Sequence, residues 1–126
     1  MREMLLVAAG GAAGSVLRYI ISVYTPILFG KSLLVTGTVI VNITGCFLIG
    51  FFLQWIEIRQ LFDTGFRLLL LVGFLGGFTT FSAFGLEGFE LISISMTRFF
   101  VYTGLQLIMG IGGVWLGLKC AGLIFH

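Results

Sequence analysis

The sequence predicts an all-α membrane protein with four transmembrane helices, and three observations carry that expectation. Hydrophobic residues make up 59% of the 126 positions, and 19 glycines join them. Only 10% of residues are charged, against about 25% in an ordinary soluble domain, and mean hydropathy is +1.17. Long charge-free windows recur, each matching the roughly 20 residues that cross a hydrocarbon core. A soluble fold this small could not cover its exterior with so few polar groups. The same arithmetic excludes disorder. Continuous apolar runs exclude an alternating β-barrel, and a single proline excludes collagen-like or proline-rich chains.

The first span is expected over 4–24, interrupted by Arg18. Its start is barely basic (Met1-Arg2-Glu3), and the apolar run from Met4 to Ala9 is short. It reads as a retained helix rather than a cleaved signal. Pro26 and Gly30 punctuate a loop near Thr25 to Ser32. The second span, 33–56, lies in the charge-free window between Lys31 and Glu57. A loop from Glu57 to Phe66 carries Asp63 and Gly65. The third span covers 67–92, a short loop Ile94 to Thr97, and the fourth 98–123. The whole chain is one transmembrane domain, 1–126, with no loop long enough for a soluble unit.

Four spans put both termini on one side, with Arg2, Arg59, Arg67 and Lys119. Lys31 and Arg98 fall on the other, and Arg18 near its helix end is unassigned. So slight a bias sets orientation weakly. It permits insertion both ways and antiparallel pairing. Gly10/Gly14, Gly73/Gly77 and Gly113/Gly117 are spaced for close helix contacts, and small size favours an oligomer. Seven scattered cations make no nucleic-acid footprint. Cys46 and Cys120 lie far apart in apolar runs, and the one histidine is His126. Zinc and thiol redox chemistry are therefore not expected.

The third span holds Gly76-Gly77-Phe78-Thr79-Thr80-Phe81-Ser82-Ala83-Phe84-Gly85. Adjacent glycines lose helix propensity, at about 1 kcal/mol each, and Thr and Ser oxygens compete with the backbone ladder. Two readings follow. One is a glycine packing kink with Thr and Ser bonded back onto their own helix. The other is a break at membrane depth, tolerated only where protein, water or an ion supplies partners. A break frees carbonyls for a hard cation and a half-helix N-terminus for an anion. Phe81 and Phe84 share a face, and ring edges are positive enough to contact an anion.

Other polar groups stand out for their depth. Asn42 serves either as interhelical glue or as a pore-lining group, with Thr38 one turn earlier on the same face. Arg18 either snorkels to an interface or faces a watery vestibule as a fixed anion attractor. Tyr102, Gln106 and Gly110 continue one face of the fourth span. Glu87 and Glu90 follow the motif, either at the interface or, for Glu87, near a pore mouth.

Gly37-Thr38-x-x-Val41-Asn42, the Gly76–Phe84 motif and Leu17-Arg18-Tyr19 together resemble the CrcB/Fluc fluoride channels of bacteria and archaea. The resemblance covers the whole chain. It implies an antiparallel, dual-topology dimer whose third helix is broken mid-membrane and whose two fluoride pores run along the dimer interface. It implies passive fluoride export across the cell (inner) membrane, not an enzyme activity. A central structural Na+ would be held by the main-chain oxygens of Gly76 and Thr79 from each subunit. Phe81 and Phe84 map onto the pore phenylalanines, with Ser82, Thr80 and Tyr102 on the polar track. Asn42 maps onto the pore asparagine, Arg18 onto the first-helix arginine, and Thr38 onto the entrance threonine. The chain departs from the pattern at Ala83, where many members have Thr. It departs again at Gln106 and Gly110, where better-known members have serines. Such differences are compatible with a homodimer or with one partner of a heterodimeric pair.

Two other classes compete. A small multidrug-resistance-type proton-coupled transporter is also short and four-spanning, but needs an acid deep in the first span. Here the only acid of that span is Glu3 at its edge. A structural subunit without transport would tolerate replacement of Phe81, Phe84 and Asn42.

Overall fold

The computed structural model describes residues 1–30, 36–60 and 64–125. The expectations for Lys31, Ser32, the start of the second span at 33–35, Asp63 and His126 lie outside the described residues. The chain is all-helical there: α1 Arg2–Phe29, α2 Gly37–Ile58, α3 Thr64–Arg67, a π-helix Leu68–Leu75, α4 Gly76–Phe78, α5 Phe81–Ile94 and α6 Met96–Phe125. Grouped by continuity, four stretches are long and apolar enough to cross a membrane: Arg2–Phe29, Gly37–Ile58, Thr64–Ile94 and Met96–Phe125.

The loop expected from Thr25 is not there. The first helix runs through Pro26 and ends only at Phe29. Proline lacks the N–H that the Ser22 carbonyl would receive. Within transmembrane helices such a loss is tolerated when neighbouring helices and Ser/Thr groups compensate. Here Thr25 is buried and its hydroxyl donates to the Ile21 carbonyl at 2.6 Å. Gly37 of α2 lies against Ser22. The stop comes instead at Gly30, whose φ of 70° only glycine adopts freely. The last predicted loop also shrinks. Ser95 alone separates α5 from α6, its extended backbone turning the chain while its N–H still reaches the Leu91 carbonyl.

Two helix pairs make the scaffold. The α2 helix packs along α6, and α1 packs along the first half of the third span; beyond Thr80 the third span moves onto α6. Glycines set both contacts. A Cβ at Gly10 or Gly14 would collide with main-chain atoms of Leu69, Phe74 and Phe78, and one at Gly77 with Gly11. At Gly117 it would strike the Phe47 carbonyl, and at Gly50 that of Val114. The backbones approach because no side chain intervenes. The eight-residue π-helix has no signal in its leucine-rich sequence. Such windings are rare and concentrate at functional sites, and this one ends where the glycine pair begins.

The core is small. Val39, Leu91 and Tyr102 are buried, with Ile43, Phe84, Phe99 and Leu105 packed on them. Most other large hydrophobics, among them Ile108, Ile111 and Leu123, are exposed, as befits surfaces bathed in lipid. At one end Phe51, Phe52, Trp55, Phe66 and Phe125 form an aromatic cluster, with the Arg59 guanidinium 5.5 Å from the Phe125 ring centre. Aromatic and cationic groups of this kind anchor helix ends at headgroup level.

Candidate functional site

Between α4 and α5 the backbone leaves helical geometry for two residues. Thr79 sits at φ −87°, ψ 160° and Thr80 at φ −149°, ψ 127°. Thr79 closes α4 by donating both its N–H and its hydroxyl to the Leu75 carbonyl, each at 3.0 Å. The Thr80 hydroxyl opens α5 by accepting the Ala83 N–H at 3.3 Å, and it lies 3.2 Å from the Ser82 hydroxyl.

Asn42 of α2 holds this extended segment. Its Oδ1 accepts the Thr80 N–H at 2.8 Å, and its Nδ2 donates to the Thr80 carbonyl at 3.0 Å. A second Nδ2 hydrogen goes to Gln106 Oε1 on α6 at 2.8 Å. The carboxamide thus supplies both backbone groups of Thr80 as a strand neighbour would, which satisfies polar groups that hydrocarbon cannot.

Carbonyls before the break lose their helical donors, those of Gly76, Gly77 and Thr79 among them. The Gly77 oxygen is taken up by Arg18 of α1, whose Nε–H donates at 3.0 Å, with the Ser15 hydroxyl at 3.5 Å. Arg18 is therefore turned onto the third span. The Gly76 oxygen would receive the Thr80 N–H in a continuous helix, and the Thr79 oxygen the Ala83 N–H. Both donors are engaged elsewhere, with Asn42 and with the Thr80 hydroxyl.

A pocket of about 400 Å³ opens beside the extended segment. Of the residues singled out in the sequence, Asn42, Gly76, Thr79, Thr80, Phe81, Phe84 and Gln106 line it. The Phe81 and Phe84 ring centres are 5.5 Å apart. Phe81 is 82% exposed, whereas Phe84 is half-buried and stacks on Tyr102 at 5.7 Å. Ser82 is exposed, with its hydroxyl 3.2 Å from that of Thr80.

Thr38 and Tyr102 stand apart from that pocket. Their hydroxyls converge on Glu87 of α5. Tyr102 donates to Oε2 at 2.7 Å, Thr36 donates to the same oxygen at 2.9 Å, and Thr38 donates to Oε1. One carboxyl group thus gathers three hydroxyls, the partners a polar group needs at membrane depth. The sequence places Thr38 on the Asn42 face, but the two side chains serve different partners. Residues that sequence reasoning passed over are Glu87 as a hub, Thr36 and Ser15. The available signal was an acid within the third span, Glu87, together with unassigned hydroxyls on neighbouring spans. Among the described residues, no three His, Cys, Asp or Glu side chains group to hold a metal ion. Main-chain oxygens are the hard donors on offer.

The comparisons with known proteins agree with this architecture. The family model described as "CrcB-like protein, Camphor Resistance (CrcB)" matches residues 5–118. A Caulobacter protein named "Fluoride-specific ion channel FluC" is 43% identical over 99% of this chain and 98% of its own length. A Methanococcus maripaludis protein of the same name is 37% identical over 99% and 92%. One from Rhizobium leguminosarum is 50% identical over 72% of each chain. With four membrane-length helices, this is a multi-pass membrane protein, and the chain belongs to the CrcB-like family.

Proposed function

We propose that the protein is a passive, fluoride-selective channel, not a proton-coupled transporter or an enzyme. The observation that carries the reading is the two-residue extended segment inside the third span, flanked by Phe81 and Phe84 and clamped by Asn42. The names of the full-length relatives support the same choice of ion. Fluoride is small, hard and strongly hydrated. A pathway for it must replace that water with donors and positive ring edges without trapping the ion. Phe81 and Phe84 offer edges, with polar groups of Asn42, Gln106, Thr80 and Ser82 beside them; the hydroxyls of Thr38 and Tyr102 lie farther along, gathered on Glu87. Arg18, always protonated, adds a fixed positive charge near the third-span interruption.

In this reading the third helix is broken at membrane depth. Two copies pair antiparallel, as a homodimer or with a paralogous partner, in the cell inner membrane, and two pores run along their interface. Phe81 fits this arrangement. A ring 82% exposed in one subunit is available to line a surface that a second copy completes.

A structural Na+ fits the residues present. The Gly76 and Thr79 carbonyls are hard oxygens deprived of helical donors, the kind of unwound backbone that coordinates Na+ in membrane proteins. A Cβ at Gly76 would meet nothing within 4 Å, so that side is open. Two oxygens per subunit become four when a second copy supplies its own pair. When bound, the ion contributes positive potential and joins the subunits.

The test is reconstitution of the purified chain into KF-loaded liposomes, read with a fluoride electrode. Rapid electrogenic fluoride efflux with little chloride efflux is expected. Proton-coupled efflux of an organic cation without fluoride flux would instead favour the multidrug-transporter class.

A further inference from the structure

The two phenylalanines of the pocket are not held alike. The Phe84 ring lies within 15° of parallel to that of Tyr102, with centres 5.7 Å apart, the offset stack that aromatic pairs favour. Phe81 is exposed and meets Phe84 at a 41° tilt and 5.5 Å. Both phenylalanines line the pocket, and Tyr102 stands outside it, behind Phe84. The Tyr102 side chain is fully buried and packs in the core with Val39 and Leu91. Its hydroxyl is engaged by protein groups: it donates to Glu87 Oε2 at 2.7 Å, and the Gln106 side chain bonds it as well. Glu87 is fixed in turn by the hydroxyls of Thr36 and Thr38 at the start of α2.

The tilt of Phe84 therefore follows from a ring that cannot itself move. Any other tilt gives up the parallel stack. Tilt matters because an aromatic ring is positive at its rim and negative on its face. The rim suits an anion, and the face suits a cation. We propose that Tyr102 is a specificity-determining positioning residue: its ring sets the plane of Phe84, and through Phe84 that of Phe81, so that ring rims meet the transported anion. Its hydroxyl serves Glu87 and Gln106 and does not bond the ion. The inference rests on the fluoride-channel reading, and it moves Tyr102 from the polar track to the support of the aromatic pair.

The test uses the full chain in liposomes, with fluoride efflux measured against internal fluoride concentration. Tyr102→Phe keeps the ring and loses the hydroxyl, whereas Tyr102→Leu loses the ring. Tyr102→Phe is expected to melt lower than wild type and to keep the wild-type half-saturating fluoride concentration. Tyr102→Leu is expected to raise that concentration about 2- to 10-fold, the worth of one aromatic pair. In the unmodified protein, carrying carbon-13 at tyrosine Cζ and in the phenylalanine rings, saturating fluoride should shift the Phe84 ring signals and leave the Tyr102 Cζ signal in place. Equal impairment of Tyr102→Phe and Tyr102→Leu would overturn the proposal, as would wild-type half-saturation in assembled Tyr102→Leu. A Tyr102 Cζ signal that follows fluoride as closely as Phe84 does would overturn it even where neither variant assembles. Absence of fluoride efflux in the wild type would instead remove the channel reading itself.

Discussion

Replacing Asn42 by Asp is a near-isosteric change whose effect follows from three hydrogen bonds. Oδ1 still accepts the Thr80 N–H, so one bond survives. The two donated by Nδ2, to the Thr80 carbonyl and to Gln106 Oε1, are lost. Each is worth roughly 0.5–1.5 kcal/mol net. Two acceptor oxygens would then confront a carboxylate oxygen, and an unsatisfied buried acceptor costs about 1–3 kcal/mol. The expected loss is about 2–6 kcal/mol, of the order of 10 °C or more in melting temperature for a chain of this size. The measurement is thermal unfolding of the purified protein in one detergent, with size-exclusion chromatography to follow assembly and fluoride efflux from liposomes to follow activity. Efflux is expected to be abolished. If Asn42→Asp melts within about 2 °C of wild type and conducts normally, the side chain does not clamp the Thr79–Thr80 segment, and the account of that segment is wrong.

Other expectations are equally direct. Phe81→Ile should abolish fluoride efflux while barely changing the stability of the subunit, because the ring is 82% exposed there; retained flux would remove it from the pathway. Gly14→Val should disrupt folding, since any Cβ strikes the Phe74 carbonyl and Phe78 nitrogen. Gly112→Ala meets nothing within 4 Å and should be neutral or stabilising by up to about 1 kcal/mol; equal behaviour of the two in expression and melting would contradict the glycine contact. Arg18→Ala leaves the Gly77 carbonyl with only the Ser15 hydroxyl and should cost about 1.5–3 kcal/mol, visible as a lowered melting temperature that Arg18→Lys does not fully restore. Exchanging Na+ for a large organic cation should lower the melting temperature, by the equivalent of about 2.7 kcal/mol where Na+ had stood at a hundred times its dissociation constant; an unchanged melt would argue against a structural Na+ site.

The four spans were legible because hydrophobic length is a local property: a run of apolar residues without charges can be counted with no knowledge of its neighbours. The same counting misplaced the end of the first helix. Pro26 reads as a stop in isolation, but the helix continues past it to Phe29, with the Thr25 hydroxyl on the Ile21 carbonyl and Gly37 of α2 packed on Ser22. Glycine spacing gave only a generic hint of contact. That Gly10 and Gly14 meet the third span, and Gly117 meets α2, depends on how the helices are rotated against one another.

Composition and motif by themselves determined that this chain crosses a membrane four times and that its unusual chemistry concentrates around the Gly76–Phe84 segment. The tertiary structure decided which groups serve one another there: Asn42 on the Thr80 backbone and Gln106, Arg18 on the Gly77 carbonyl, and Thr36, Thr38 and Tyr102 on Glu87. The physical reason is range. Hydropathy and backbone propensity act within one helix turn and can be read along the chain. A hydrogen bond between residues 15 to 64 positions apart exists only once packing has fixed the distance and rotation of both helices.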